Sequence, residues 1–172
     1  MDLPQRTNLR LREYDYSLNG AYFVTICVKD RASLFGRVVV GADLVSARAE
    51  LNPAGRIVEE VLHETIQAFA GVHLDRYVIM PNHFHGIFVI SRADTRSAPT
   101  VPVTSVVQAF KSKTTVAYIK AVKAGLLLPF DKQIWQRNYY EHVIRNEKAY
   151  LRVCQYIDEN PARWEEDEYY SA

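Results

Sequence analysis

The 172-residue sequence predicts an α+β fold: one antiparallel sheet with helices packed on it. Three observations carry this. Short runs rich in β-branched and aromatic residues alternate with stretches of helical periodicity. Two of those runs are parted only by Pro81-Asn82, a turn that makes neighbouring strands antiparallel. No repeat, linker or low-complexity stretch breaks the chain, and a 48% hydrophobic content gives it a real core to bury. A single domain over 1–172 is expected, with 1–18 a basic leader and 162–172 a C-terminal tail.

Taken in order, Ala21 to Val28 reads as a strand entered from the Asn19-Gly20 turn. Leu34 to Val40 and Leu44 to Leu51 read as a hairpin around Gly41-Ala42-Asp43. Asn52-Pro53 is a helix start, with a capping side chain followed by proline at the first helical position. Ile57, Val58, Val61, Leu62 and Ile66 then recur at helical spacing to about Phe69. Val72 to Met80 and Phe84 to Ile90 are strands, and Ser91 to Thr100 is loop. Ser105 and Gln108 have capping-box spacing at the start of a helix to about Lys123, marked by Val106, Val107, Phe110, Ala117 and Ala121. A strand around Ile134 to Ile144 follows. Asn146 and Glu147 open a last helix, which Pro161 ends.

Composition narrows the function class. The 21 Lys and Arg against 20 Asp and Glu leave a formal charge of +1, so any nucleic-acid contact rests on local patches. Cys27 and Cys154 match neither a disulfide framework nor a zinc ribbon and suit a reducing compartment. No apolar run reaches signal-peptide or membrane-spanning length, so a soluble, cytoplasmic protein with no membrane partner is expected.

His83-Phe84-His85 is the first candidate for chemistry. Alternate residues of a strand share a face, which places the two imidazoles about 7 Å apart on one side of the sheet, where they can share a metal ion. Phe84 points the other way, into the core. An H-x-H pair alone is a weak signal; its setting, where a strand begins just after a Pro-Asn turn, sharpens it.

The last helix supplies the second candidate. Tyr150, Val153, Cys154 and Ile157 form a buried stripe at i, i+3, i+4, i+7. Tyr156 stands roughly 110° from the middle of that stripe, on the flank between core and solvent. Asn160 lies one turn further on the same flank, so the two side chains can address one point in space. An aromatic residue on a flank is more often packing, and Asn before Pro is an ordinary helix terminator.

The run Tyr77-Val78-Ile79-Met80-Pro81-Asn82-His83-Phe84-His85 resembles the HUH signature of single-tyrosine transposases. Trp135 to Arg145 and Tyr156-Ile157-Asp158-Glu159-Asn160-Pro161 resemble the REP-associated tyrosine transposases, as do Tyr14 to Cys27 and Leu34-Phe35-Gly36. The likeness covers nearly the whole chain, in order. It implies a ferredoxin-like or RRM-like fold, Tyr156 as the nucleophile, and His83 and His85 as metal ligands for Mg²⁺ or Mn²⁺. Insertion-sequence relatives place Gln four residues after the tyrosine as a third ligand. Here that position is Asn160, whose side chain is shorter. The implied reaction is cleavage and joining of single-stranded DNA through a 5′-phosphotyrosine, at short palindromic repeats that form hairpins.

Arg10, Arg12, Lys111, Lys113, Arg137 and Arg145 are candidate phosphate contacts, and Tyr139 and Tyr140 candidate stacking platforms. His142 is read as structural or DNA-contacting; His63 and His73 have no partner pattern. Two rival readings stay open: a single-strand-binding module without cutting activity, and a metal hydrolase pairing the histidines with Asp75 or Glu141. Monomer and homodimer are both compatible with the sequence.

Overall fold

A computed structural model describes residues 20–41, 47–91 and 101–171. Its elements run β1 (Gly20–Cys27), β2 (Gly36–Val40), β3 (Ala47–Leu51), α1 (Pro53–Gln67), β4 (Val72–Ile79), β5 (His83–Ile90), α2 (Val103–Lys123), β6 (Tyr140–Ile144) and α3 (Glu147–Glu159). The main sheet has the order β4-β5-β1-β6, antiparallel throughout. Helix α1 links β1 to β4 and α2 links β5 to β6, each bridging two strands that a third separates. That is the ferredoxin-like arrangement, and β2 and β3 form a separate hairpin.

Alternation along the strands divides the molecule into two layers. Tyr22, Val24, Ile26, Phe84 and Phe88 face α1 and α2 in the main core, while Phe23 and Ile87 face Cys154 and Ile157 of α3. Side-chain oxygens of Asn52 and Asn146 accept from Gly55 N and Ala149 N, each at 2.9 Å, so both expected caps form. No helix among the described residues is long and apolar enough to cross a membrane.

Three expectations shift. The strand expected from Ile134 is regular only over Tyr140–Ile144; Trp135 keeps a single antiparallel bridge to Val28, while its ring fills the core between Phe35 and Phe110, at ring distances of 5.1 and 5.6 Å. Helix α2 begins at Val103 instead of at a Ser105 capping box, since burial of Val103 draws the first turn onto the core. Strand β5 begins at His83, one residue before the expected Phe84. The Asn19-Gly20 turn, the hairpin turn, the Leu44 end of β3 and most of the Ser91 to Thr100 loop involve residues outside the described set.

The register of β4 slips between Leu74 and Tyr77, a bulge that takes Asp75 and Arg76 out of the ladder. Both reach α3. Tyr150 donates its hydroxyl hydrogen bond to Asp75, and the Arg76 guanidinium donates to both Asp158 oxygens at 2.9 and 3.1 Å. Helix α3 is thereby anchored over the β4 side of the sheet.

Candidate active site

His83 and His85 lie on the α3 face at the start of β5, opposite Cys27 and Thr25 of β1. Their rings converge to a centroid distance of 4.4 Å, closer than strand spacing alone gives. Each Nδ1 is already engaged, His83 with Asn82 Oδ1 and His85 with Thr25 Oγ1, both at 2.8 Å. That leaves the two Nε2 atoms for the site. The Tyr156 hydroxyl is 3.3 Å from His85 Nε2, and its ring meets Phe23 edge-on. At 41% exposure Tyr156 is open to a ligand.

The site gains a member that sequence reasoning missed. Asp167, in the segment expected to be a tail, brings a carboxylate oxygen so close that one ligand atom from each of His83, His85 and Asp167 lies within 4.8 Å of the others. Asp167 Oδ2 accepts from Asn160 Nδ2 at 2.6 Å and from the Tyr156 hydroxyl at 3.4 Å. Asn160 is buried beside His83, and its Oδ1, like His83 Nε2, has no well-formed hydrogen bond among the described residues.

Asn82, read from sequence only as a turn residue, ties this segment down. Its Nδ2 donates to Tyr169 O at 2.8 Å, Arg31 O at 3.1 Å and Ser171 Oγ at 3.1 Å, while its Oδ1 orients His83. Tyr169 packs on both histidines, at ring distances of 4.9 and 5.7 Å. The run Glu165-Glu166-Asp167-Glu168 has the pattern of a solvated turn; the aromatic pair Tyr169-Tyr170 was the one hint that the chain packs there.

Burial sets the electrostatics. It holds His83 down to about 4, against the raising effect of Asp167, and His85 well below the ordinary imidazole range. Both are neutral at pH 7 and offer lone pairs. The Tyr156 phenol is pushed above its ordinary value by burial first, then by the charges of Asp167 and Glu168. Its phenolate therefore needs a compensating positive charge.

The remaining candidates are distributed over the molecule. Tyr140 and His142 line a cleft beside Tyr156, whereas the Tyr139 hydroxyl turns to Glu141 at 2.7 Å and its ring joins the main core. Lys111 Nζ donates to the carbonyls of Gln136 and Arg137 at 2.6 and 3.0 Å. It and the exposed Lys113 belong to α2, on the face of the sheet away from Tyr156. Arg137 and Arg145 are exposed, and Arg10 and Arg12 lie outside the described residues. Asp75 is bound to Tyr150 and Glu141 to Tyr139, so neither joins the histidines; the carboxylate there is Asp167.

Residues 18–160 match a protein-family model described as "Transposase IS200 like", a span that stops short of Asp167. A Haemophilus influenzae protein described as uncharacterized is 36% identical over 174 residues, covering 96% of this chain and 93% of its own length. A solved REP-associated tyrosine transposase bound to a REP hairpin aligns with a TM-score of 0.57 at 20% identity, over 90% of this chain and 73% of its own. A Deinococcus radiodurans protein described as a candidate transposase aligns at 0.50 and 17% identity, over 87% and 95%. At such identities the two structures speak to the fold alone.

Proposed function

Because this chain belongs to the IS200-like transposase family, we propose that it cuts and rejoins hairpin-forming single-stranded DNA through a covalent 5′-phosphotyrosine at Tyr156. The observation that carries the reading is the hydroxyl of Tyr156 within 3.3 Å of His85 Nε2, beside the cluster of His83, His85 and Asp167. A pure binding module has no use for that set.

The residues fit a divalent cation. Two neutral imidazoles with fixed Nδ1 bonds, a carboxylate and the buried Asn160 Oδ1 form a donor set that can hold a divalent cation, zinc included; the family resemblance favours Mg²⁺ or Mn²⁺. His83, His85 and Asp167 would hold it. Asn160 would orient Asp167 through Nδ2, with Oδ1 left as a further donor. A bound cation supplies the positive charge that neutralises a phosphodiester and eases departure of its leaving oxygen.

The chain's own residues do the rest. The Tyr156 oxygen attacks phosphorus, a phosphorus–tyrosine ester bond forms, and the bond to the upstream 3′-oxygen breaks to give a free 3′-hydroxyl. Asp167 Oδ2 is the carboxylate within reach of the phenol proton. The phosphotyrosine ester keeps the energy of the original bond, so attack by a 3′-hydroxyl rejoins DNA without ATP.

A tyrosine fixed on a helix flank calls for an unpaired, bendable backbone, and a hairpin-forming strand is proposed by analogy with the REP hairpin bound by the solved relative. A monomer or a homodimer could carry this site. The enzyme would act on cytoplasmic DNA.

The test is incubation with labelled hairpin-bearing single strands and Mg²⁺ or Mn²⁺, followed by a denaturing gel. Wild type is expected to give a protein–DNA adduct that survives denaturation, and Tyr156→Phe and the His83→Ala, His85→Ala double variant none. Cleavage without an adduct would reject the covalent route in favour of hydrolysis.

A further inference from the structure

Helix α3 is docked over β4 by its bonds to Asp75 and Arg76 and covers Phe23 of β1 and Ile144 of β6, but it leaves Tyr140 and His142 on the same face of β6 partly open. The result is a cleft of about 600 Å³ opening beside Tyr156, within the usual range of small-ligand sites, roughly 300–1,000 Å³. Its floor is Phe23, with Tyr140 and His142 of β6 on the same face. Its wall is a second stripe of α3, Ala149, Arg152, Val153 and Tyr156, at i, i+3, i+4, i+7.

We propose that this cleft seats the unpaired base of a nucleotide flanking the scissile phosphate, stacked on Tyr140, with the Arg152 guanidinium taking that nucleotide's phosphate. The inference rests on the reading of Tyr156 as the nucleophile, and three observations support it. The cleft shares Tyr156 and His85 with the candidate active site, so its occupant adjoins the reacting group. Phe23, Tyr140, Val153, Tyr156 and Tyr169 give it a largely aromatic and aliphatic surface that suits the face of any base, with Thr25, Arg152 and Glu168 as polar members. Arg152 is exposed, stands one turn before Tyr156 and has no ion pair among the described residues.

A second cleft, of about 540 Å³, opens beside Tyr156 and is lined by Glu159, Glu166, Asp167 and Glu168 with Arg152 and Arg163; Arg152 and Glu168 line both clefts. With Asp167 assigned to the cation, Glu159 and Glu166 are the carboxylates peculiar to the second cleft, so the β6 side is the less acidic approach for DNA.

The test places the fluorescent base 2-aminopurine at each of the two nucleotides flanking the mapped cleavage position and titrates in Tyr156→Phe protein with Mn²⁺. Quenching is expected at one of the two positions and is lost in a Tyr156→Phe, Tyr140→Leu double variant. If that variant fails to fold, Ala149→Trp, which fills the cleft from the helix side, replaces Tyr140→Leu. In the wild-type enzyme an abasic nucleotide at the quenched position slows adduct formation about tenfold, the size expected for one lost stack.

Equal rates with abasic nucleotides at both positions, or quenching that survives the cleft substitutions, would overturn the base seat while leaving the Tyr156 adduct intact. Failure of wild type to form any adduct would instead remove the underlying reading, and the seat with it.

Discussion

The hydroxyl of Tyr156 on α3 stands 3.3 Å from Nε2 of His85 on β5, although 71 residues separate them in sequence. Neither residue is placed by its own element alone. His85 is fixed by Thr25 across the ladder, and Tyr156 by a helix whose tilt is set from β4.

Arg76 and Asp158 both have side chains about half exposed, at 51% and 52%, so their ion pair should contribute little to stability. Its role is to aim α3. Arg76→Ala is expected to change the unfolding free energy by less than about 1 kcal/mol. It should nonetheless slow single-turnover adduct formation about tenfold, because a small displacement of the nucleophile is costly. The charge swap Arg76→Asp with Asp158→Arg should recover part of the rate. A rate unchanged in Arg76→Ala would remove this anchor from the account.

Asn82 bridges β5 to the last segment through one amide. Asn82→Ala strands the Tyr169 carbonyl and His83 Nδ1, and urea unfolding should register a loss of about 2 kcal/mol or more. Mn²⁺ affinity measured by calorimetry should drop about tenfold or more, as expected when the partner that orients a ligating imidazole is lost. Undiminished Mn²⁺ binding would mean that His83 is not a ligand.

In the proposed cation site, Asp167 and Asn160 would divide the third donor role between them. Asp167→Ala should weaken Mn²⁺ binding more than Asn160→Ala does, the latter by about tenfold as an orienting partner. The reverse order would identify Asn160 Oδ1 as the principal donor.

Much of this was legible in the sequence, for physical reasons particular to each residue. Asn52 and Asn146 announce helix starts because their side chains do locally what the fold requires. The alternation His83-Phe84-His85 fixes which side chains share a face, and helical spacing places Tyr156 on a flank. Asp167, Asn82 and Arg152 escaped because their placement depends on contacts with distant segments: Asn82 with Tyr169, Asp167 with Asn160, and Arg152 with a cleft shared by β1, β6 and α3. The start of the Ile134 to Asn138 stretch is indeed extended, with Trp135 bridging Val28 while its ring fills the core, but the pairing lapses until Tyr140.

Away from the site, Tyr77 on β4 is pushed up to about 12, by burial first and then by its hydrogen bond to Glu59. A folded value above the ordinary 10.0 means that the native state holds its proton where the unfolded chain has lost it. The stabilisation is full below pH 10.0 and is lost as pH rises through about 12. Urea unfolding followed over that window should fall less steeply for Tyr77→Phe than for wild type. Parallel curves would show that Tyr77 titrates normally.

The most direct measurement is peptide mass spectrometry of the protein after reaction with a hairpin-bearing single strand and Mn²⁺, with the DNA trimmed by nuclease. The account predicts a nucleotide phosphate on the α3 peptide, localised to Tyr156 and absent when the cation is chelated. The same mass on Tyr139, Tyr140 or Tyr150, or a cleaved strand with every tyrosine unmodified, would contradict it.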